Sequence, residues 1–211
     1  MAAMIRNAAN DRGSITQFYV WIAALLLAAS LPAQQAQTLV GRWRSVETSQ
    51  GGIGAMYEFR ADGTFSFSPG ATVDMSYRLE GDQIVFPPAT TTGPEQKSRL
   101  EWSGQDTFRL EGIAYSRQGA APDPNHPLTG EWSGTDQMDG KKMERRFIFD
   151  GSGHCLMLVL FLTQNGVYTA RSGNLTARIN GASALSGAFS FANGILVIHR
   201  TNGRVTKLRK Y

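Results

Sequence analysis

The chain has 211 residues, with 21 basic and 17 acidic side chains, which give a formal net charge of +4. This small excess over a long chain is too weak to indicate a nucleic-acid-binding domain, which usually has a concentrated basic face. The single cysteine, Cys155, excludes an intramolecular disulfide framework. The 23 glycines, with many aromatic and β-branched residues, favour short strands joined by tight turns.

The N-terminal residues have the pattern of a secretory signal peptide. A polar lead with two arginines precedes an apolar run over residues 18–31. This run is shorter than the roughly 20 residues that a membrane-spanning helix needs. We therefore predict a signal peptide over residues 1–36, cleaved after Ala33 or Ala36, and a periplasmic or secreted mature protein. An uncleaved membrane anchor is the alternative.

Alternating apolar and polar residues predict a first β unit over residues 37–117. Residues 73–80 alternate without a break, which puts Tyr77 on an apolar face. Asp62-Gly63 separates two alternating runs and predicts a hairpin turn. Pro87-Pro88 ends a strand, because proline cannot donate to the ladder. The unit has about eight short strands, as a meander or small barrel requires.

A second β unit is predicted over residues 128–211. Residues 118–127 contain three prolines and no apolar pattern, which is typical of a semi-rigid linker. Four Asn-Gly pairs follow, each favouring a two-residue hairpin turn. The motif Leu-x-Gly-x-Trp opens both units, ending at Trp43 and at Trp132. We interpret the chain as all-β, with two tandem antiparallel meander or barrel units.

The opening Gly-x-Trp, followed by an Asp-Gly turn and a meander, resembles the lipocalin-like (calycin) group. The resemblance covers residues 39–211 and implies that each tryptophan closes one end of a barrel, beneath a basic side chain from the last strand. Trp43 and Trp132 hold the tryptophan positions. Arg117 and Arg209, or Lys210 in place of Arg209, are the basic candidates for a cation–π contact. A barrel of eight short strands is just wide enough to be filled by its own side chains.

Residues 155–162 are apolar on both faces, so both faces of this strand must be covered. We expect the inner face to fill a barrel and the outer face to pack on the other unit. The alternative is a flexible wall that lines a ligand site. In that case Tyr77, Met157 and Phe161 are the candidate ligand-binding residues.

The residues that carry chemistry are few and scattered. His154 and Cys155 are neighbours on a predicted strand, so their side chains point to opposite faces and cannot easily pair as base and nucleophile. His126 lies in the linker, and His199 lies at the edge of a predicted core. No zinc-ligand cluster or phosphate-binding loop is visible. We predict no catalytic set, metal or cofactor, and keep a hydrolase using His154 or His199 as an alternative.

Residues 200–211 carry five basic and no acidic side chains. Such cations commonly protect an edge strand from pairing with another chain. Lys207, Arg209 and Lys210 could also dock an acidic protein or an anionic membrane surface. The predicted function is an exported protein that binds a small apolar molecule or serves structurally in the cell envelope, without nucleic acid. A protein-binding module such as a protease inhibitor is the alternative.

Overall fold

The computed structural model describes residues 39–49, 52–88, 93–119 and 124–211, and its regular elements are all β-strands. The predicted signal peptide lies outside the described residues. Nine strands precede the linker: β1 (Gly41–Ser45), β2 (Ile53–Phe59), β3 (Thr64–Ser76), β4 (Arg78–Glu80), β5 (Gln83–Phe86), β6 (Gln96–Arg99), β7 (Glu101–Trp102), β8 (Thr107–Leu110) and β9 (Ile113–Gln118). The prediction of an all-β chain is confirmed.

Eight strands follow the linker: β10 (Gly130–Met138), β11 (Lys141–Phe149), β12 (His154–Leu160), β13 (Gln164–Arg171), β14 (Asn174–Ile179), β15 (Ala182–Ala192), β16 (Ile195–Arg200) and β17 (Val205–Lys210). Every pairing in the described sheets is antiparallel, and fourteen strands share one continuous sheet. The two sequence units are therefore not separate sheets.

Eight of these strands close into a barrel, which we call the closed barrel. It runs β13-β14-β15-β16-β17-β1-β2-β3, and β13 pairs with β3 to complete the ring. Its interior holds side chains from both ends of the chain, including Trp43, Phe65, Phe189 and Leu208. The prediction of a small antiparallel barrel is confirmed for this part of the molecule.

The remaining strands curve around a second core, and we call this body the open barrel. Its ladder runs from the second half of β3 through β12, β11, β10, β9 and β8 to β7. A small sheet of β4, β5 and β6 covers the remaining side. β3 runs into β4 through Tyr77, and β6 runs into β7 through Leu100. Side chains from both sheets, such as Ile84 and Trp132, meet in one core.

The two units exchange strands. β1, β2 and the first half of β3 close with β13–β17 of the second unit, whereas β10, β11 and β12 pack with β4–β9 of the first. The sequence favoured two bodies, each made from one unit, and the structure differs from that arrangement. The reason is that β3 does not turn back after its hairpin with β2. It continues straight along β12 and enters the neighbouring body.

β3 is therefore one long strand where the sequence favoured two short ones. Its first half pairs with β13 and its second half pairs with β12, and the change of partner falls at Pro69 and Gly70. The Pro69 carbonyl accepts a hydrogen bond from the Phe161 amide at 3.0 Å. A Cβ on Gly70 would lie 2.2 Å from the Val159 carbonyl oxygen, so only glycine allows β3 and β12 to approach this closely.

The outer face of β12 packs between the two barrels. Leu156, Leu158 and Leu160 are buried there with Met56 of β2. On the other face of β12, Cys155 and Met157 belong to the open-barrel core. The expectation that this strand is covered on both sides is confirmed, because one face meets a barrel interior and the other meets the second body.

An ion-pair network spans the same junction. Glu131 pairs with Arg42, and a second oxygen of Glu131 lies 3.4 Å from Arg146. Arg42 and Glu131 are the residues that precede the two motif tryptophans. The residue between the glycine and the tryptophan of each motif therefore contacts its counterpart in the other motif, and the two carry opposite charges.

Candidate functional site

The interior of the closed barrel is filled by its own side chains. Trp43, Phe59 and Phe65 are at most 3% exposed, and Phe59 packs edge-on against Tyr168 with ring centroids 5.0 Å apart. Leu196 and Leu208 complete the packing. The filled interior is what we expect of a barrel of eight short strands, which is just wide enough for its own side chains.

The open barrel has a cleft of about 1080 Å³ at its mouth. The mouth lies between β3, residues 86–88 and 93–96, and the turn from β8 to β9. The apolar part of the lining comes from Val73, Met75, Phe86, Pro87, Pro88, Pro94, Leu110, Tyr115, Phe147 and Met157. This volume is close to the upper end, roughly 1,000 Å³, of the range of small-molecule sites, which are mostly apolar with a few placed polar groups.

A polar group of three residues lies at the inner side of the cleft. Arg145 lines the cleft and forms an ion pair with Asp136 at 2.6 Å. Burial raises the pKa of the Tyr115 hydroxyl to about 12, and the nearby Arg145 guanidinium, which hydrogen-bonds to it, partly offsets this increase. At neutral pH Tyr115 is therefore a neutral hydroxyl. The Arg145 charge is already matched by Asp136.

Three carboxylates, Asp74, Glu95 and Glu111, lie at the rim of the cleft. Asp74 pairs with Arg44 at 2.8 Å and Glu95 pairs with Arg78 at 2.8 Å. The hydrogen bonds from Arg78 lower the pKa of Glu95.

Glu111 accepts hydrogen bonds from the side chains of Gln96 and Ser98 at 2.7 and 2.9 Å. The rim of the cleft is therefore polar, with two of its three carboxylates in ion pairs, whereas the interior of the cleft is mostly apolar.

The structure separates the three predicted ligand-binding residues. Met157 lines the cleft. Tyr77 is half-buried beside it and packs edge-on against Phe149, with ring centroids 4.9 Å apart. Phe161 is 40% exposed at the junction of β12 and β13, away from the cleft lining. Of the three, only Met157 is in a position to contact a molecule in the cleft.

The sequence reading missed most of the cleft. The alternation of residues 73–80 predicts only that Val73 and Met75 share an apolar strand face, and Pro87-Pro88 predicts only the end of a strand. Arg145 could have indicated the cleft from the sequence, because it shares a face of β11 with Met143 and Phe147, which are buried. A charged residue on an otherwise apolar strand face often marks a polar position inside a site.

The two motif tryptophans have matching surroundings. The indole N–H of Trp43 donates to the Leu39 carbonyl at 2.8 Å, and that of Trp132 donates to the Leu128 carbonyl at 2.7 Å. A basic side chain lies over each ring.

The motif glycines, Gly41 and Gly130, both have positive φ. A Cβ at Gly41 would lie 2.6 Å from Lys210, and one at Gly130 would lie 3.2 Å from Arg117. Glycine therefore leaves room for the basic side chain to cross the strand and reach the indole.

Because the units exchange strands, the basic side chain over each motif tryptophan comes from the other unit. Arg117 of the first unit lies 4.1 Å from the centre of the Trp132 ring in the second. Lys210 of the second unit lies 5.7 Å from the Trp43 ring. Arg209 differs from the expectation: it is exposed on the outer face of β17, because Lys210 and Leu208 share the inward-facing register.

The histidines and the cysteine do not form a catalytic group in the described part of the chain. His154 Nδ1 lies 3.3 Å from the Ser76 hydroxyl on the exposed surface. Burial raises the pKa of the Cys155 thiol to about 12, so it is not a ready nucleophile. His199 is exposed on the wall of the closed barrel, and His126 is exposed beside the linker. No three metal-ligating side chains converge among these residues.

Comparisons of the chain with protein-family models, curated proteins and solved structures found no match. Across the described residues, no helix has the length and hydropathy to cross a membrane.

Proposed function

We propose that this chain binds a small, uncharged, apolar molecule in the cleft of the open barrel. The observation that carries the proposal is the difference between the two bodies. They have similar strand orders and matching tryptophan closures, yet one interior is filled and the other has a cleft of about 1080 Å³. A contiguous exposed apolar surface, such as the lining of this cleft, typically marks a binding site.

The lining supports an apolar ligand. Met75 and Met157 supply unbranched, polarisable side chains that adapt to irregular shapes. Phe147 and Phe86 add aromatic surface for stacking or edge contacts. The hydroxyl of Tyr115 and the guanidinium of Arg145 give one polar region that orients a ligand carrying a single hydrogen-bonding group.

The charges favour a neutral ligand over an anionic one. Asp74 and Glu95 at the entrance are paired with Arg44 and Arg78, so Glu111 is the carboxylate there that only neutral side chains hold among the described residues. The cation in the lining, Arg145, is already paired with Asp136. An anion would have to compete with Asp136 for Arg145, whereas a neutral molecule does not meet this cost.

The same proposal includes the origin and location of the protein. The repeated Leu-x-Gly-x-Trp motif, the similar strand order of both units and the matching tryptophan surroundings support a tandem duplication of a lipocalin-like unit. The N-terminal apolar run supports export to the periplasm or the cell exterior. The binding of an apolar molecule outside the cytoplasm is consistent with a carrier or sequestering role.

A fluorescence titration with N-phenyl-1-naphthylamine, an uncharged apolar probe, tests the proposal. We expect saturable binding with enhanced emission. Met157→Trp should reduce affinity at least about tenfold, because the larger side chain occupies the cleft. Leu162→Trp is the matched control, since Leu162 is 56% exposed and lies outside the cleft lining.

Two results would remove the proposal. One is the absence of saturable binding by the wild-type chain. The other is equal affinity in the Met157→Trp and Leu162→Trp variants when both melt cooperatively. The anionic analogue 1-anilinonaphthalene-8-sulfonate should bind more weakly than the neutral probe, and the reverse order would refute the preference for a neutral ligand.

A further inference from the structure

The strand exchange separates charge between the two barrels. The closed barrel, residues 39–69 and 161–211, has 10 basic and 3 acidic side chains, a net charge of +7. The open barrel, the described residues between 70 and 160, has 9 basic and 12 acidic side chains, a net charge of −3. No acidic residue follows Asp150. The small net charge of the whole chain is therefore the sum of a basic barrel and an acidic one.

Several cations of the closed barrel lie on one side of its outer wall. Lys207 and Arg209 point outward from β17, since Leu208 between them is buried in the core. Arg204 is exposed in the turn before β17, whereas the exposed Arg171 on β13 lies on the opposite side of the eight-strand ring. The exposed His199 of β16 is paired in register with Val205.

The wall between these cations is smooth and partly apolar. The outward residues of β15 are Ala188, Ser190 and Ala192, which are all small and exposed. Val205 is 45% exposed beside Lys207. The one acidic group paired with this wall is Glu47, whose carboxylate lies 3.3 Å from the Lys207 ammonium and is 74% exposed. Such an exposed pair offsets little of the attraction to an external anion.

We infer that this outer wall docks the protein on an anionic phospholipid bilayer. The cations and the exposed Val205 form a convex surface, and its small side chains permit close approach to a flat partner. A polybasic surface gains attraction from each Lys or Arg held near an anionic leaflet. The second barrel, with its opposite charge, is repelled by the same leaflet. The molecule therefore binds with its closed barrel toward the bilayer.

Two other anionic partners fit this wall less well. Single-stranded nucleic acid is bound through exposed aromatic platforms, and the outward positions of β13–β17 carry none. An acidic protein segment is typically held in a groove or along a free strand edge. The strands of this wall are hydrogen-bonded on both sides within the closed ring.

Sedimentation of the full chain with lipid vesicles tests this inference. One set of vesicles is phosphatidylcholine alone, and the other contains phosphatidylglycerol in addition. We expect binding to the anionic vesicles only, with steep weakening between ~0.05 and ~0.5 M salt. The phosphatidylcholine vesicles measure any contribution of the apolar N-terminal run, which is common to all variants.

Lys207→Glu/Arg209→Glu should lower the partition coefficient roughly 30-fold or more, as expected for losing two cations at an anionic surface. Lys141→Glu/Lys142→Glu is the matched control. It changes the net charge equally, at exposed positions of the open barrel, and should lower partitioning less than about threefold. Lys207→Gln/Arg209→Gln provides a second variant if the charge reversal impairs folding, which circular dichroism will report.

Several results would overturn the inference. Equal losses in the two charge-reversal variants would mean that only net charge matters. Equal binding to both vesicle types would exclude an electrostatic surface. Salt-sensitive self-association without vesicles, abolished by Lys207→Glu/Arg209→Glu, would mean that the wall binds the acidic barrel of a second copy. Tighter binding to polyuridylate than to anionic vesicles would identify a nucleic-acid surface.

Discussion

Arg117 is a buried charge whose partners all lie close by. Its side chain is 3% exposed and lies over the Trp132 ring. It pairs with Asp106 at 3.0 Å and donates to the carbonyls of Pro127 and Thr129 at 2.6 and 2.5 Å. These two carbonyls belong to the end of the linker and the start of the second motif. One side chain therefore holds β9, the linker and the tryptophan closure together.

We expect Arg117→Ala to lower the free energy of unfolding by about 1–3 kcal/mol, because the variant leaves the part-buried Thr129 carbonyl without its donor and removes the cation over Trp132. Lys210→Ala should cost only about 0.5–1 kcal/mol, since Lys210 is exposed and lies farther from its ring. Urea denaturation followed by tryptophan fluorescence measures both changes. Equal losses of unfolding free energy in the two variants would contradict the inference that Arg117 stabilises its barrel end more than Lys210 does.

The Cys155 thiol should make stability depend on alkaline pH. Burial raises its pKa to about 12 in the folded protein, above the value of about 8.5 in an unfolded chain. The folded state therefore favours the protonated thiol. This contribution to stability is fully present below the unfolded pKa, and it is lost as pH rises toward the folded pKa.

We expect the free energy of unfolding to fall between about pH 9 and pH 10.5, and Cys155→Ala to flatten that slope. Tyr115 adds a similar loss only above about pH 10, because burial raises its pKa from near 10 to about 12. In the native protein at pH 8, Ellman's reagent should label Cys155 only after urea is added. Rapid labelling of the folded chain would disprove its burial.

At the scale of elements, β3 decides how the molecule is assembled. A strand that ended at Ser68 would allow the chain to turn back within its own unit. Instead β3 passes Pro69 and Gly70 and changes partner from β13 to β12. Pro69 is tolerated within the strand because the change of partner interrupts the regular ladder.

Gly70→Ala should lower the free energy of unfolding by about 2–4 kcal/mol, because its Cβ would meet backbone atoms of β12 that cannot move without parting the strands. Gly54→Ala is the control from the neighbouring strand. Its Cβ would meet side-chain atoms of Thr48 and Ser45 at 3.2 and 3.3 Å, so a loss below about 1 kcal/mol is expected. Thermal melts compare the two, and a similar stability for both variants would show that β3 and β12 can separate locally.

At the scale of the whole molecule, neither sequence unit contains a complete core. The closed-barrel core combines Trp43 and Phe65 with Tyr168, Leu196 and Leu208. These core residues are far apart in the sequence, so the chain has a high contact order, which predicts slow folding. They also make the two units depend on each other for stability.

We expect residues 37–117 and 128–211 to be unfolded when each is expressed alone, since each lacks strands that complete its barrels. Co-expression should give a 1:1 complex that melts cooperatively. Size-exclusion chromatography and circular dichroism distinguish these states. A cooperative, monomeric fragment of residues 37–117 would show that a unit can close on itself and that the exchange is not required.

Much of the local structure could be predicted from the sequence because it depends on neighbouring residues. Alternation identified β-strands, and Asn-Gly and Asp-Gly pairs identified turns. Apolar residues on both faces of residues 155–162 predicted the double coverage of β12. The resemblance to the lipocalin-like group predicted that Trp43 and Trp132 lie beneath basic side chains. It did not decide between Arg209 and Lys210, because one residue of register changes the face to which a strand side chain points.

The amino-acid sequence by itself determined that the described part of the chain is all-β and where most of its turns fall, because these follow from side-chain alternation and turn chemistry. Only the tertiary structure decided which strands share a barrel. Backbone hydrogen bonds are alike in every antiparallel pair, so two similar sets of strands offered similar partners. Because β3 continues without a turn, it pairs with strands of both barrels and so decides which strands each barrel contains. This exchange of strands also forms the cleft beside Met157 and separates the charges of the two barrels.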